Sequence, residues 1–242
     1  ATHGWLQRLQ PAGLVHALSA SWQGEAPGAG GYRAKGRVEG LALSGEDSGQ
    51  TSAYGPYPVP GRPGIQGATV AFEFDQAGGR AQVQVADGAL ELPGVFEERL
   101  LPLERLQTEA VWTLQGERIE VRLERLSLAN ADAEGTGQAR WHTGDPATSP
   151  ARSRFPGVLE LDATLTRADA TRVHRYLPLS VAEPARRYVR EAVRAGRADR
   201  VDFRLRGEVW DMPFNTPGAQ GEFRISAGLR GVDFDYVPTN LQ

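Results

Sequence analysis

Apolar and polar residues alternate along most of this chain, the period of a strand with one apolar face and one wet face. Val201, Phe203, Leu205 and Val209 alternate with Asp202, Arg204, Arg206 and Glu208. From Tyr32 to Leu43, Arg33, Lys35, Arg37 and Glu39 point outward and small residues inward. Further strand patterns are Val70-Phe72-Phe74, Val83-Val85, Leu90-Leu92, Val111-Thr113, Ile119-Val121-Leu123, Leu159-Leu161-Ala163-Leu165 and Phe223-Ile225-Ala227-Leu229. Near the start, Leu14, His16, Leu18, Ala20 and Trp22 share one expected face. The phase slips at Glu124-Arg125, where Leu126 and Leu128 fall out of step with Leu123, and again at Gly231. Each slip predicts a β-bulge.

Few segments break this pattern. Ser180 followed by Glu183 reads as a capping box, Pro184 suits the first helical turn, and Gly196 suits a helix stop; together they predict a helix over 180–195. Trp5 to Gly13 reads as the end of a second helix, broken by Pro11. Residues 44–67 hold Pro56, Pro58, Pro60 and Pro63, which cannot supply sheet hydrogen bonds, so this is a loop or edge cover. Residues 142–156 are polar, contain three prolines, and form a second loop. Residues 5–43 and 176–230 share an order of helix, break, strand, turn and strand, a weak internal repeat within one section spanning 1–242.

The gaps between strands are too short for helical crossovers, so the sheet is mainly antiparallel. About a dozen strands at roughly 4.8 Å each make a sheet about 55 Å wide, whereas a helix of about 13 residues is only about 20 Å long. One helix cannot cover that sheet. It must fold into a sandwich, close as a barrel, or leave a groove for an apolar ligand.

The composition narrows the function classes. A net charge of −3 is not the basic excess of a nucleic-acid binder, and no nucleic-acid partner is expected. Of 27 basic residues only Lys35 is lysine, the usage of a GC-rich genome. With no cysteine there is no disulfide, zinc ribbon or thiol chemistry. No apolar run approaches the roughly 20 residues needed to cross a bilayer. The start without Met and the abrupt end at Gln242 are read as those of a piece excised or processed from a longer protein.

Catalytic motifs are missing. His3, His16, His142 and His174 are scattered without a metal-ligand spacing, and neither a G-x-S-x-G elbow nor a phosphate loop is present. His16 reads as a packed neutral side chain on an apolar face, and Asp233 and Asp235 as the solvated side of a strand. No enzyme activity, metal or cofactor is expected. On the expected helix, Arg187, Arg190 and Arg194 line one face beside Arg186. They read as a solvated face of a plug at one end of the sheet, or as a contact to anionic headgroups through bidentate phosphate pairing.

The segments RYLPL, RLRGEVWDMPF and VDFDYVP, with the Ala-Gly pair between the first two, resemble the YhdP branch of the AsmA-like family. PGIQGATVAFEFDQAGGRAQVQV, LELPGVF and LSLANADAEGTGQARW fit the same order. Each motif is short and degenerate; their joint order carries the resemblance, which spans nearly the whole chain. Met212 departs from it, since another apolar residue often precedes the Pro-Phe pair.

The resemblance implies a very long protein anchored by one N-terminal helix in the inner membrane of a Gram-negative bacterium. Its periplasmic part would be a long, strongly curved β-sheet whose apolar groove carries phospholipid tails to the outer membrane, similar to chorein-type lipid-transfer proteins. The fold expectation is therefore all-β with one or two short helices. Expected partners are phospholipid, adjoining sections of the same chain, and envelope proteins. The expected groove lining is Phe72, Phe74, Val83, Val85, Val121, Leu123, Leu161, Leu165, Phe203, Leu205, Phe223, Ile225 and Leu229. The rival reading is a periplasmic β-sandwich or scaffold that binds a protein without lipid; an acyl hydrolase is a distant third.

Overall fold

Ten strands form a single antiparallel sheet in strict sequence order, each paired with the next. The computed structural model describes residues 9–24, 30–52, 55–212, 214 and 219–237. The strands are β1 (Ala12–Trp22), β2 (Tyr32–Leu43), β3 (Gly64–Asp75), β4 (Gly78–Glu91), β5 (Leu100–Gln115), β6 (Arg118–Ala129), β7 (Ala133–His142), β8 (Val158–Asp169), β9 (Val193–Glu208) and β10 (Gly221–Phe234). An α-helix, α1 (Glu183–Ala192), lies in the connection from β8 to β9.

Local chemistry sets the turns. Asp75 Oδ1 accepts from the Ala77 amide at 2.8 Å, closing the β3–β4 turn. Gly116, at φ +58°, closes β5–β6. Asn130 Oδ1 accepts from the amides of Asp132 and Ala133 at 3.0 and 2.8 Å, closing β6–β7.

Neither sandwich nor barrel forms among the described residues. β1 and β10 are free edges of one sheet. A compact chain of 26.2 kDa would expose about 10,600 Å², whereas this one exposes 14,353 Å². Among the described residues Pro93 is the only large side chain that is fully buried. An open layer has this signature, because one face of each strand lacks a second layer above it.

The expected bulges are present. The β6–β7 register shifts between Leu123 and Leu126 with Arg125 at φ +50°, and the β9–β10 register shifts between Arg230 and Asp233 with Gly231 at φ +60°. Tyr32–Leu43 is a strand over the expected residues.

Other expectations fail locally. A register shift between Val15 and Ala17 turns His16 outward, where it bonds Glu39 at 2.8 Å with its side chain 43% exposed. It is not a packed core histidine. Val15, not Leu14 or His16, stands opposite Val38 on the apolar side. The helix is shorter than expected: it begins at Glu183, its cap residue Ala182 offers no side-chain bond, and Ser180 Oγ has no partner, so no capping box forms. Val193 ends it as β9 begins, and Gly196 lies inside that strand at φ +139°. Gly196 falls opposite the β9–β10 register shift, between Ala195 and Arg197, which pair with Asp233 and Arg230. Pro184 does sit in the first turn. Of the N-terminal helix expected from Trp5, residues 5–8 lie outside the described residues; Leu9 is helical, and Gln10 at φ +43° turns the chain into β1. The Pro-rich loop ends earlier than expected, since β3 starts at Gly64.

Candidate functional site

The register builds one continuous apolar surface. Side chains directly opposite one another across paired strands share a face. One row of opposed residues crosses all ten strands: Leu18, Gly36, Phe72, Ala81, Ala110, Leu123, Ala139, Leu161, Leu205 and Phe223. A parallel row runs Ala20, Ala34, Phe74, Gly79, Trp112, Val121, Trp141, Leu159, Gly207 and Gly221. Neither contains a polar side chain. The row between them faces the other way and reads Ser19, Lys35, Glu73, Arg80, Val111, Arg122, Arg140, Glu160, Arg206 and Glu222.

All thirteen expected lining residues lie on strands of this sheet. Only Val85 and Leu205 are buried, at 2% and 6% exposure; Ile225 and Leu229 on the edge strand are 43% and 54% exposed; the other nine are half-buried. The tightest packing joins Ala68, Val85, Leu103 and Leu106, with Leu41, Val70, Val83 and Leu126 around them.

Sequence reasoning missed Trp112 and Trp141. Val111-Thr113 was the expected alternation, but Val111 lies on the charged face and Trp112 on the apolar one. In Ala-Val-Trp both phases are apolar, so parity alone could not choose. Trp141 is fixed by its Nε1, which donates to the Pro156 carbonyl at 2.8 Å.

Three connections rise from one end of the strands and fold back over this surface. They are residues 44–52 with 55–63, 92–99 and 170–192. Glu91 binds the first two together, accepting from the Gly45 amide and from Arg99 Nε, each at 2.6 Å. Arg99 also donates to Asp47 at 2.7 Å. The Gly61 amide donates to the Pro93 carbonyl, and the Leu179 amide to that of Val95, both at 2.9 Å. Beneath them is a cavity of about 400 Å³. Trp141, Leu159, Leu161 and Leu205 form its floor, Tyr57, Val59, Val95 and Leu179 its roof, and Val209, Trp210 and Met212 its far wall.

Charge holds the roof down from outside the cavity. Arg175 donates to Glu98 at 2.8 and 2.6 Å and to Asp132, which also accepts from the Tyr176 hydroxyl at 3.0 Å. Burial, and donation to Asp132, push the Tyr176 phenol up to about 12. Arg175 raises its own affinity for a proton by the same pairing and lowers that of Glu98. Glu97 accepts from buried Arg186 at 3.1 Å and from Arg190. Burial raises the Glu97 pKa, but the two guanidinium groups more than offset it and leave the carboxyl below its ordinary range.

A larger concavity, about 780 Å³, lies on the charged face among Asp162, Arg200, Asp202, Arg204 and Arg224. Its cations are already matched: Arg204 with Asp162 at 3.0 Å, Arg200 with Asp202 at 2.8 Å and Arg224 with Glu222 at 2.6 Å. The apolar trough is therefore the candidate site, although it is the smaller void.

The family model described as YhdP protein matches residues 1–239. The chain belongs to the YhdP family. No curated protein and no solved structure matches it. YhdP proteins belong to the bacterial envelope, and among the described residues no helix of this YhdP-family chain is long and apolar enough to cross a membrane.

The three arginines expected to meet headgroups each have an internal carboxylate. Arg187 pairs with Glu183 at 3.6 Å, Arg190 with Glu97, and Arg194 with Asp235. Arg194 belongs to β9, not to the helix. An anionic headgroup would have to displace a carboxylate at each. Among the described residues no cluster of His, Asp and Glu could hold a metal ion.

Proposed function

We propose that this section of a YhdP-family protein carries phospholipid acyl chains along its apolar face, between inner and outer membrane, without covalent chemistry. The observation behind this reading is the pair of apolar rows that cross ten strands while most of their side chains stay only half-buried. Half-buried apolar surface on that scale costs free energy unless something covers it. Each acyl methylene removed from water contributes roughly 0.8 kcal/mol, so even a partly sheltered tail is held by many such steps. The rows repeat with little chemical change from strand to strand, so no position holds a tail much more tightly than the next. A tail can slide. The headgroup stays at the open side of the trough, in water.

Native mass spectrometry of the purified chain, followed by lipid extraction, tests the proposal. Co-purifying phospholipid that is lost in Phe203→Asp is the expected result. A lipid-free protein that also fails to take up a photo-crosslinkable phospholipid overturns it and favours a scaffold that binds protein.

A further inference from the structure

The β7–β8 connection, residues 143–157, lies at the strand ends opposite those that carry the roof. It is folded on itself. Asp145 Oδ1 accepts from the Ala147 amide, the Ser149 carbonyl from the Arg152 amide, and the Arg154 carbonyl from the Gly144 amide, each at 2.9 Å. Its second half extends the trough. The Phe155 ring stacks on Trp141 with 6.0 Å between centroids, and the Arg154 guanidinium stands 5.9 Å from the Phe155 centroid. Trp141 is part of the trough floor, and Phe155 is 52% exposed. A cation thus stands at the outer end of an apolar ledge that leads out of the trough.

Arg152 and Arg154 differ from the arginines of the roof. Neither is paired with a carboxylate among the described residues, and the only acid outside those residues is Glu25, between β1 and β2. One terminal nitrogen of Arg154 donates to the Glu117 carbonyl on the β5–β6 turn, and its buried Nε has no partner. Arg152 is exposed, and its side chain makes no hydrogen bond. The acids near them in the chain are engaged: Asp145 in its own turn, and Glu208 by the Ser149 hydroxyl at 3.2 Å.

We propose that Arg152 and Arg154 form a headgroup station on the rim of the trough, holding the phosphate of a phospholipid whose tails lie against Trp141. The inference rests on the lipid-carrying function proposed above. A guanidinium presents N–H donors in a planar fork that matches two oxygens of a phosphate diester. At Arg187, Arg190 and Arg194 such an anion would have to displace a carboxylate. Here it displaces only water. Arg154 also keeps an unpaired N–H, whose cost an incoming oxygen offsets. The apolar rows hold tails with little preference for position, so two cations at one place on the rim give a passing lipid a resting point. Arg152 stays open to water, so the hold is weak enough to release and weakens further with salt.

Uptake of phosphatidylglycerol and of diacylglycerol, each bearing the same fluorescent acyl chain, tests the station at low salt. The two share their tails and differ in the phosphate. Arg152→Gln with Arg154→Gln should lower phosphatidylglycerol uptake about tenfold and leave diacylglycerol uptake unchanged. Arg152→Gln alone, at a side chain with no contact to lose, should lower it about threefold. Arg33→Gln with Arg122→Gln removes the same charge from the other face of the sheet and should change neither. Inorganic phosphate at the lipid's own concentration should not compete, since it has no tails; full competition by it marks a site for free phosphate and overturns the headgroup station. Unchanged phosphatidylglycerol uptake in the Arg152 and Arg154 variants, an equal fall in both lipids, or an equal fall in the control pair overturns the station and leaves lipid carriage standing. A parent chain that takes up neither lipid overturns the lipid-carrying function, and the station with it.

Discussion

Leu161 stands directly opposite Leu205 across β8 and β9, and one residue along each strand Asp162 receives Arg204 at 3.0 Å on the other face. Each strand thus contributes one side chain to the trough and the next to an ion pair in water. The apolar row is held in register by the same backbone pairing that aligns the charges behind it. A slip of one residue would exchange the faces and bury the charges.

Leu205 is the sharper of the two floor positions. At 6% exposure it loses packing on truncation, and Leu205→Ala should lower stability by about 2–3 kcal/mol in urea unfolding. Phe203 is half-buried, so Phe203→Asp should keep the strand signal in circular dichroism while losing bound phospholipid. Retention of lipid by a folded Phe203→Asp protein would count against the trough as the tail site.

Gly79 lies in an apolar row between two aromatics. A methyl group there would stand 2.4 Å from Phe74 Cβ and 2.7 Å from Trp112 Cζ2, with the Glu73 carbonyl oxygen at 2.6 Å. Backbone is among the obstacles, so Gly79→Ala should cost about 1–3 kcal/mol in a urea titration.

Arg175 neutralises an Asp132 side chain that is only 8% exposed. Removing the guanidinium leaves that carboxylate with the Tyr176 hydroxyl and only the more distant Arg172, at 4.0 Å. Arg175→Ala should destabilise the chain by about 3 kcal/mol, most of it from Asp132, since Glu98 is 48% exposed and screened by water. If Arg175→Ala and Glu98→Gln unfold at the same denaturant concentration, this division between the two carboxylates is wrong.

Acid should loosen the roof. Glu91, Glu97 and Glu98 all titrate below their ordinary value of 4.5, held there by the Gly45 amide with Arg99, by Arg186 with Arg190, and by Arg175. A carboxyl lowered in the folded state contributes its full stability above 4.5 and loses it as the pH falls through the folded value. Glu97→Gln should therefore lower the melting temperature at pH 7, with the difference from the parent chain closing towards pH 3. A difference that stays constant over this range would show that Glu97 acts by packing alone.

Tryptophan fluorescence reads the trough directly. Trp112 and Trp141 share one apolar row, so brominated acyl chains should quench their emission. Trp112→Phe and Trp141→Phe together should reduce that quenching, leaving the share of Trp210 in the cavity wall.

Strand identity, facing and two bulges were legible in the sequence, because alternation is a local consequence of burying one face. Phe72, Leu123, Leu161 and Phe223 could be assigned to one surface by parity, and the sheet's register then joins them through Ala81, Ala110, Ala139 and Leu205. Where both phases are apolar, as at Val111 and Trp112, parity has no force and the partner strand decides. His16 was misread because one shifted pair reverses the face locally. Gly196 was misread because a glycine suits a helix cap and a twisted strand equally well.

By itself, the sequence determined a one-sided sheet: which residues shun water is written into each strand. Tertiary structure alone decided that the sheet stays a single open layer and which segments roof it. Tyr57 and Met212 are 155 positions apart, and no local pattern in either segment encodes their meeting. That contact exists because ten strands curl together and bring a hairpin from one end of the sheet over to a connection at the other.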